Sequence, residues 1–264
     1  MIDRCQFKRL ALFFMISLSS LLLAMPSYAL EILLEPHTVQ RAAGGKARVR
    51  IYATSAVDLI SMGVKVTFDP SVMQVENAAK YEDFSNGWIM DADGNPTTTD
   101  DQHNRPFVEI DNSAGTVAMM GGRLIGQTTN GLSGKVLLGF IDLVAVGNGS
   151  SQLSVDRFAY HPNDPTKTFD NFVRLDGTVD EPANLPGNLG VVYVGDDACE
   201  CNLNFDNSCN ILDYQLFIQN WGSTTCKEPA TFCACDLNND GSCNILDYQL
   251  FIQNWGSSSC LVTP

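Results

Sequence analysis

Near the C-terminus, Asp236, Asn238, Asp240, Asn244 and Asp247 put oxygen-bearing side chains at positions 1, 3, 5, 9 and 12 of a twelve-residue run, with Ser242 at position 7. A hard divalent cation takes six to eight oxygens, and so short a loop encloses one only by turning sharply at its middle. The spacing is that of a calcium loop. Gly241 at position 6 supplies the turn, because it adopts positive φ without steric cost.

Thirty-four residues earlier the same positions hold Asn202, Asn204, Asp206, Ser208, Asn210 and Asp213, with Asn207 at the turn. The first loop has two carboxylates against three in the second. Ligand charge tunes affinity, so two Ca²⁺ sites are expected, the second tighter. A helix-capping turn rich in Asn and Asp is the plain alternative. The duplication argues against it: residues 208–223 and 242–257 both read SCNILDYQLFIQNWGS, with the loop register kept through position 12.

Each loop runs directly into one amphipathic segment. At 100° per residue, Ile211, Tyr214, Phe217, Ile218 and Trp221 share one arc, which two helices can bury against each other. Leu212 and Leu216 form a separate stripe, repeated as Leu246 and Leu250, with no third layer to cover it. These four leucines are the candidate partner contacts, with packing against the cysteine-rich connectors as the alternative. Residues 198–201 and 232–235 are too short to form an entering helix, whereas an EF-hand has a helix on both sides.

A duplicated loop-plus-one-helix unit of this length, with Asp at position 12, resembles the dockerin module of bacterial cellulosomes, over roughly residues 198–260. The resemblance implies a calcium-folded module that docks onto a cohesin-type protein module. Asn202 replaces the usual Asp at position 1 of the first loop, each repeat carries four cysteines that common dockerins lack, and Ile211-Leu212 and Ile245-Leu246 stand where type I dockerins often show small polar pairs. Partner specificity therefore does not carry over.

Residues 1–29 combine a basic opening (Arg4, Lys8, Arg9), an apolar run over 10–23 and small residues before a cut after Ala29, the pattern of a secretory signal peptide. The run is short for a bilayer span, so no membrane insertion is expected. Removing it takes Cys5 and leaves eight cysteines in one offset pattern: Cys199, Cys201, Cys209 and Cys226 against Cys233, Cys235, Cys243 and Cys260. An even count confined to one small exported module points to disulfides. The absence of any histidine there points away from zinc. Spacing leaves the pairing open, whether within each repeat or as a bridge between Cys209 and Cys243.

A net charge of −14 disfavours nucleic acid and anionic membrane as partners. Between residues 30 and 180 the pattern has period 2: 47–53 alternates, and 59–68, 116–124, 135–146 and 172–179 are rich in β-branched and aromatic residues between Gly, Asn, Asp and Pro turns. This predicts a mainly β fold, a jelly-roll-like antiparallel β-sandwich, followed by a small all-α domain with two EF-hand-type calcium loops. The stretches 45–51, 62–75, 135–146 and 175–179 look like a cohesin or a related bacterial carbohydrate-binding sandwich, implying fold more than ligand.

No catalytic residue is assigned. Paired carboxylates for glycoside hydrolysis are not marked by any motif, and His37, His103 and His161 are scattered. Asp91, Asp93, Asn95, Asp100 and Asp101 lack calcium-loop spacing and read as a solvated loop, and Tyr81 and Trp88 as core or rim aromatics. Residues 181–197, with Pro182, Pro186, Gly187 and Gly190, read as a linker between a sandwich at 30–180 and a dockerin-like module at 198–264, with 191–194 as a strand returning to one of them. The expectation is a secreted, non-catalytic calcium-binding assembly protein, extracellular, at the cell surface or in the periplasm, serving polysaccharide degradation, with polysaccharide itself a further candidate ligand. The alternative is a glycan-binding adhesin with a calcium-stabilised C-terminal anchor.

Overall fold

The computed structural model describes residues 29–81, 84, 107–122, 130–158, 172–195, 199–204, 206, 208–226, 233–258 and 260. The leader, Trp88, the acidic run 91–101, His103, His161 and Asn207 lie outside them. Ten strands precede two helices among the described residues. No helix of these residues is long and apolar enough to cross a membrane.

The strands are β1 (Glu31–Glu35), β2 (Thr38–Arg41), β3 (Lys46–Leu59), β4 (Ser61–Thr67), β5 (Met73–Lys80), β6 (Phe107–Asp111), β7 (Thr116–Gly122), β8 (Leu132–Ala145), β9 (Gly149–Arg157) and β10 (Gly187–Val194). They form a four-stranded sheet, β1-β3-β8-β5, facing a six-stranded sheet, β2-β10-β9-β4-β7-β6. Alternation does the sorting: Ala47, Val49 and Ile51 of β3 and Leu138, Leu143 and Ala145 of β8 enter the core from one sheet, and Val64, Val66, Val117, Leu153 and Val155 from the other. Arg48 and Arg50 of β3 and Asp142 of β8 fall on the opposite, outer face. Gly115, at φ +66°, closes the turn into β7, where a Cβ would meet the Phe68 carbonyl at 2.2 Å.

Three features depart from the expectation. The strand order is antiparallel throughout except for β2 and β10, which pair in parallel from Val191 opposite Thr38 to Val194 opposite Arg41. The strand expected at 191–194 returns to the sandwich, where Val192 and Val194 are buried in the core, but it starts at 187, inside the stretch read as a linker, because backbone pairing to β9 outweighs the Pro/Gly signal there. Residues 172–179, read as a strand, instead make a tight turn through Gly177 at φ +86°, held by bridges Val173–Val179 and Leu59–Arg174 and by the Arg174–Asp180 ion pair.

The helices, α1 (Ile211–Ile218) and α2 (Ile245–Gln253), belong to a module with its own core. Its centre is Phe217 and Phe251, fully buried with ring centroids 4.8 Å apart, walled by all eight cysteines and Leu237. The pairing is Cys199–Cys260, Cys201–Cys209, Cys226–Cys233 and Cys235–Cys243. Two bridges stay within a repeat and two cross between repeats. Cys209 and Cys243 are not joined, because each backbone pairs with the end of the other repeat's helix: Cys209 donates to the Ser257 carbonyl and Cys243 to that of Ser223, both at 2.8 Å.

Candidate metal loops and docking faces

Both loops close in the same way. The position-12 carboxylate reaches back to the loop entrance: Asp247 Oδ1 accepts from the amides of Leu237 (2.9 Å) and Asn238 (3.2 Å), and Asp213 Oδ1 from those of Leu203 (2.8 Å) and Asn204 (3.1 Å). Their second oxygens accept from Asn244 N and Asn210 N, both at 2.8 Å. The position-9 side chains in turn accept from Leu246 N and Leu212 N at 2.8 Å. Each position-9 and position-12 pair is thus a reciprocal helix cap, starting its helix where the loop ends.

The oxygens of positions 1, 3 and 5 gather about one point of the backbone. The Asp240 amide donates to Asp236 Oδ1 (3.0 Å) and Asn238 Oδ1 (2.9 Å), and the Asp206 amide to Asn202 Oδ1 (3.1 Å) and Asn204 Oδ1 (3.0 Å). Asp240 and Asp206 also accept from Ser242 N and Ser208 N. Gly241 makes its turn at φ +96°. One disulfide staples each loop from the residue before position 1 to position 8, Cys201–Cys209 and Cys235–Cys243.

Among the described residues, no three Asp, Glu, His or Cys side chains come together in a ligating cluster. Asn202, Asn204 and Asn210 supply much of the first loop and Asn238 and Asn244 part of the second, and in both loops the carboxylates are engaged by loop amides. The second loop nevertheless concentrates negative charge. Burial, and then the charges of Asp247 and Asp240, push the Asp236 carboxyl up to about 6. A donor set of carboxylate and amide oxygens with surplus negative charge fits a hard cation.

The helix faces divide differently from the expectation. Phe217 and Phe251 are buried and Tyr214 and Tyr248 half-buried, but Ile211, Ile218 and Trp221, assigned to the buried arc, are exposed, as are Ile245, Ile252 and Trp255. Helices of eight and nine residues are too short to cover a five-residue arc at every turn. Leu212 and Leu246 stand open at 51% and 52%, whereas Leu216 and Leu250 are half-buried and Leu250 packs on the module core. The aromatic contacts repeat too: Tyr214 meets Trp255 edge-on at 6.3 Å, and Tyr248 meets Trp221 likewise at 6.3 Å.

In the comparisons, residues 203–254 match the family model of the dockerin type I domain, which covers the repeats and not the sandwich. No curated protein matches the chain. Solved structures similar to it include a non-cellulosomal cohesin from Archaeoglobus fulgidus (13% identity, TM-score 0.41, 63% of this chain and 91% of that one). A type I cohesin–dockerin complex from Clostridium thermocellum matches at 11% identity and TM-score 0.42, over 63% of this chain and 99% of that one. A type II cohesin domain from the cellulosome of Acetivibrio cellulolyticus matches at 13% and 0.37, over 64% and 92%.

Proposed function

We propose that this is a non-catalytic assembly protein whose dockerin-type module docks onto a cohesin-type partner when its two loops hold Ca²⁺. The observation that carries this reading is the pair of open aliphatic steps at matching places on two identical helices, Ile211-Leu212 and Ile245-Leu246, within a segment that matches the dockerin model. Leu216 and Leu250 flank those steps. The division is a sandwich over residues 30–195 and a module over 198–264.

Asn202, Asn204, Asp206, Asn210 and Asp213 in the first loop, and Asp236, Asn238, Asp240, Asn244 and Asp247 in the second, would hold the ions with the carbonyls of Ser208 and Ser242. Calcium supplies the positive charge that offsets the gathered carboxylates. The chain itself fixes the loop entrances through the position-12 aspartates and the two loop disulfides, so the helices start at a set angle. With three carboxylates against two, the second loop is the tighter site. Export to an oxidising compartment fits the four disulfides, and extracellular polysaccharide breakdown is the setting that a cellulosome-type module implies.

The test is capture of purified type I and type II cohesins by the full chain, with Ca²⁺ or with chelator. Calcium-dependent capture is expected, kept when Ile211 and Leu212 or Ile245 and Leu246 are changed to Ser, and lost when all four are. Loss from one pair alone would refute interchangeable faces. Failure to capture any cohesin, together with binding of soluble glycans by the chain, would favour the adhesin.

A further inference from the structure

The sandwich and the module meet along the module's loop side. Arg50, 2% exposed on β3, donates from Nη2 to the Cys226 carbonyl at 2.8 Å, and the Ala42 amide donates to Glu200 Oε1 at 3.4 Å. Asn239, at position 4 of the second loop, hydrogen-bonds Asp142, which Arg48 grips with two bonds of 2.7 and 2.8 Å. A cleft of about 310 Å³ lies at this seam, and its walls include Gln40, Arg41 and Arg50 of the sandwich and position 1 of both loops, Asn202 and Asp236. Gln40 and Asn202 are each 3% exposed. Both amide atoms of Gln40, and Asn202 Nδ2, lack a hydrogen-bond partner among the described residues. No residue of α1 or α2 lines the cleft.

The charges across this seam are opposite in sign. Glu200 and then Asp236 attract the Arg41 guanidinium, and Asp142 and then Asp236 that of Arg50. The second loop carries three carboxylates, so a divalent ion there leaves one net negative charge in place of three. The loop's share of the attraction on the guanidinium groups is then mostly gone, while Glu200 and Asp142 still hold them, and the same groups repel an arriving cation.

We infer that the arginine-bearing corner of the sandwich is a docking surface for the chain's own second calcium loop, and that seating on Arg41 and Arg50 and Ca²⁺ binding at that loop oppose each other. The coupling is reciprocal: calcium loosens the seat by the factor with which the seat weakens calcium. The orphaned Gln40 amide and Asn202 Nδ2 mark the same seam as one that does not close completely. Because the helices stand clear of it, seating does not compete with a partner on the helix faces. This inference rests on the reading of the second loop as a calcium site.

The experiment is calorimetric titration of Ca²⁺ into the full chain in an Asp206→Ala background, which leaves the second loop to report. Arg41→Gln and Arg50→Gln are each expected to tighten binding by about two- to ten-fold, the effect of one unit charge within a Debye length of a divalent ion. Arg50→Lys keeps the charge and stays close to the parent, as does Lys46→Gln, which removes a surface charge paired with Glu76. In the parent chain, saturating Ca²⁺ is expected to speed hydrogen exchange at the Ala42 amide. Glutamine variants with unchanged or weaker affinity, or an Ala42 amide indifferent to calcium, would overturn the coupling. Should Arg50→Gln unfold the chain, Arg41→Gln decides, since among the described residues that guanidinium donates only to the carbonyls of Gln40 and Lys46, on its own side of the seam. A parent that binds no Ca²⁺ fails the calcium reading itself, and the coupling with it.

Discussion

Phe217→Ala and Phe251→Ala test whether the module is a two-fold object with a core separate from the sandwich. Each ring is fully buried, and each touches the other at 4.8 Å, its own repeat's Trp at 5.6 Å and the opposite helix's Tyr at 6.1 Å. Truncating a buried Phe costs about 3–5 kcal/mol through lost burial and the cavity left behind. Matching surroundings make the two penalties equal within about 0.5 kcal/mol. Because the rings touch, the double variant loses less than the sum, by about 0.5–1.5 kcal/mol, the worth of an aromatic pair beyond its buried area. Calorimetric melts of the full chain with Ca²⁺ resolve this, the module transition moving and the sandwich transition standing still. Penalties differing by more than about 1 kcal/mol, or a matching shift of the sandwich, would refute two equivalent repeats around one independent core.

Asp240→Ala or Asp247→Ala is expected to abolish the tighter Ca²⁺ site, and Asp206→Ala the weaker one with a smaller loss of module stability; two-site titration separates them, and a reversed order would contradict the charge argument. A fragment of residues 29–195 is expected to fold without calcium, whereas one ending at 180 lacks β10, leaves β2 and β9 without their shared neighbour and melts at lower temperature; equal melts would show that β10 adds nothing. Lys80 Nζ is buried without a hydrogen-bond partner among the described residues, and desolvation lowers its pKa to about 8. The folded pKa lies below the unfolded one, so this penalty is complete below about pH 8 and disappears as pH rises through 10.5. Lys80→Met is therefore expected to raise the melting temperature at pH 7 and to lose that advantage near pH 11, and a gain independent of pH would assign it to packing alone.

What the sequence showed most clearly was local. The single helix after each loop and the strands β3, β4, β7 and β8 depend on helical spacing and on period 2, which neighbouring residues determine. What it concealed was set at a distance. Gly187 to Gly190 looks like a linker until β9 is there to receive it, and Val173 to Val179 looks like a strand although among the described residues it finds only single bridges, to Leu59 and within its own turn. The cysteines announced cross-links without their partners, since the 199–260 bridge depends on where two repeats place their ends. The exposed Ile218 and Trp221 show the limit of a helical wheel, which assigns a direction but not the length of the helix that must cover it. Nothing in the sequence of Arg41 or Arg50 signalled their place beside Asp236, because charges on strands usually read as a solvated face.

The Cys199–Cys260 bridge has a mechanical consequence. It holds two α-carbons 61 residues apart in sequence at 5.0 Å, so both repeats lie inside a covalent ring. Tension arriving from the sandwich at Cys199 crosses to Cys260 through sulfur without passing along the loops or helices. A module of this length pulled open from its ends would release roughly 200 Å of chain. With the ring intact that slack is unavailable, and a load borne at the helix faces must be resisted by the folded repeats as a unit; under reducing conditions the same pull would unravel them one after the other.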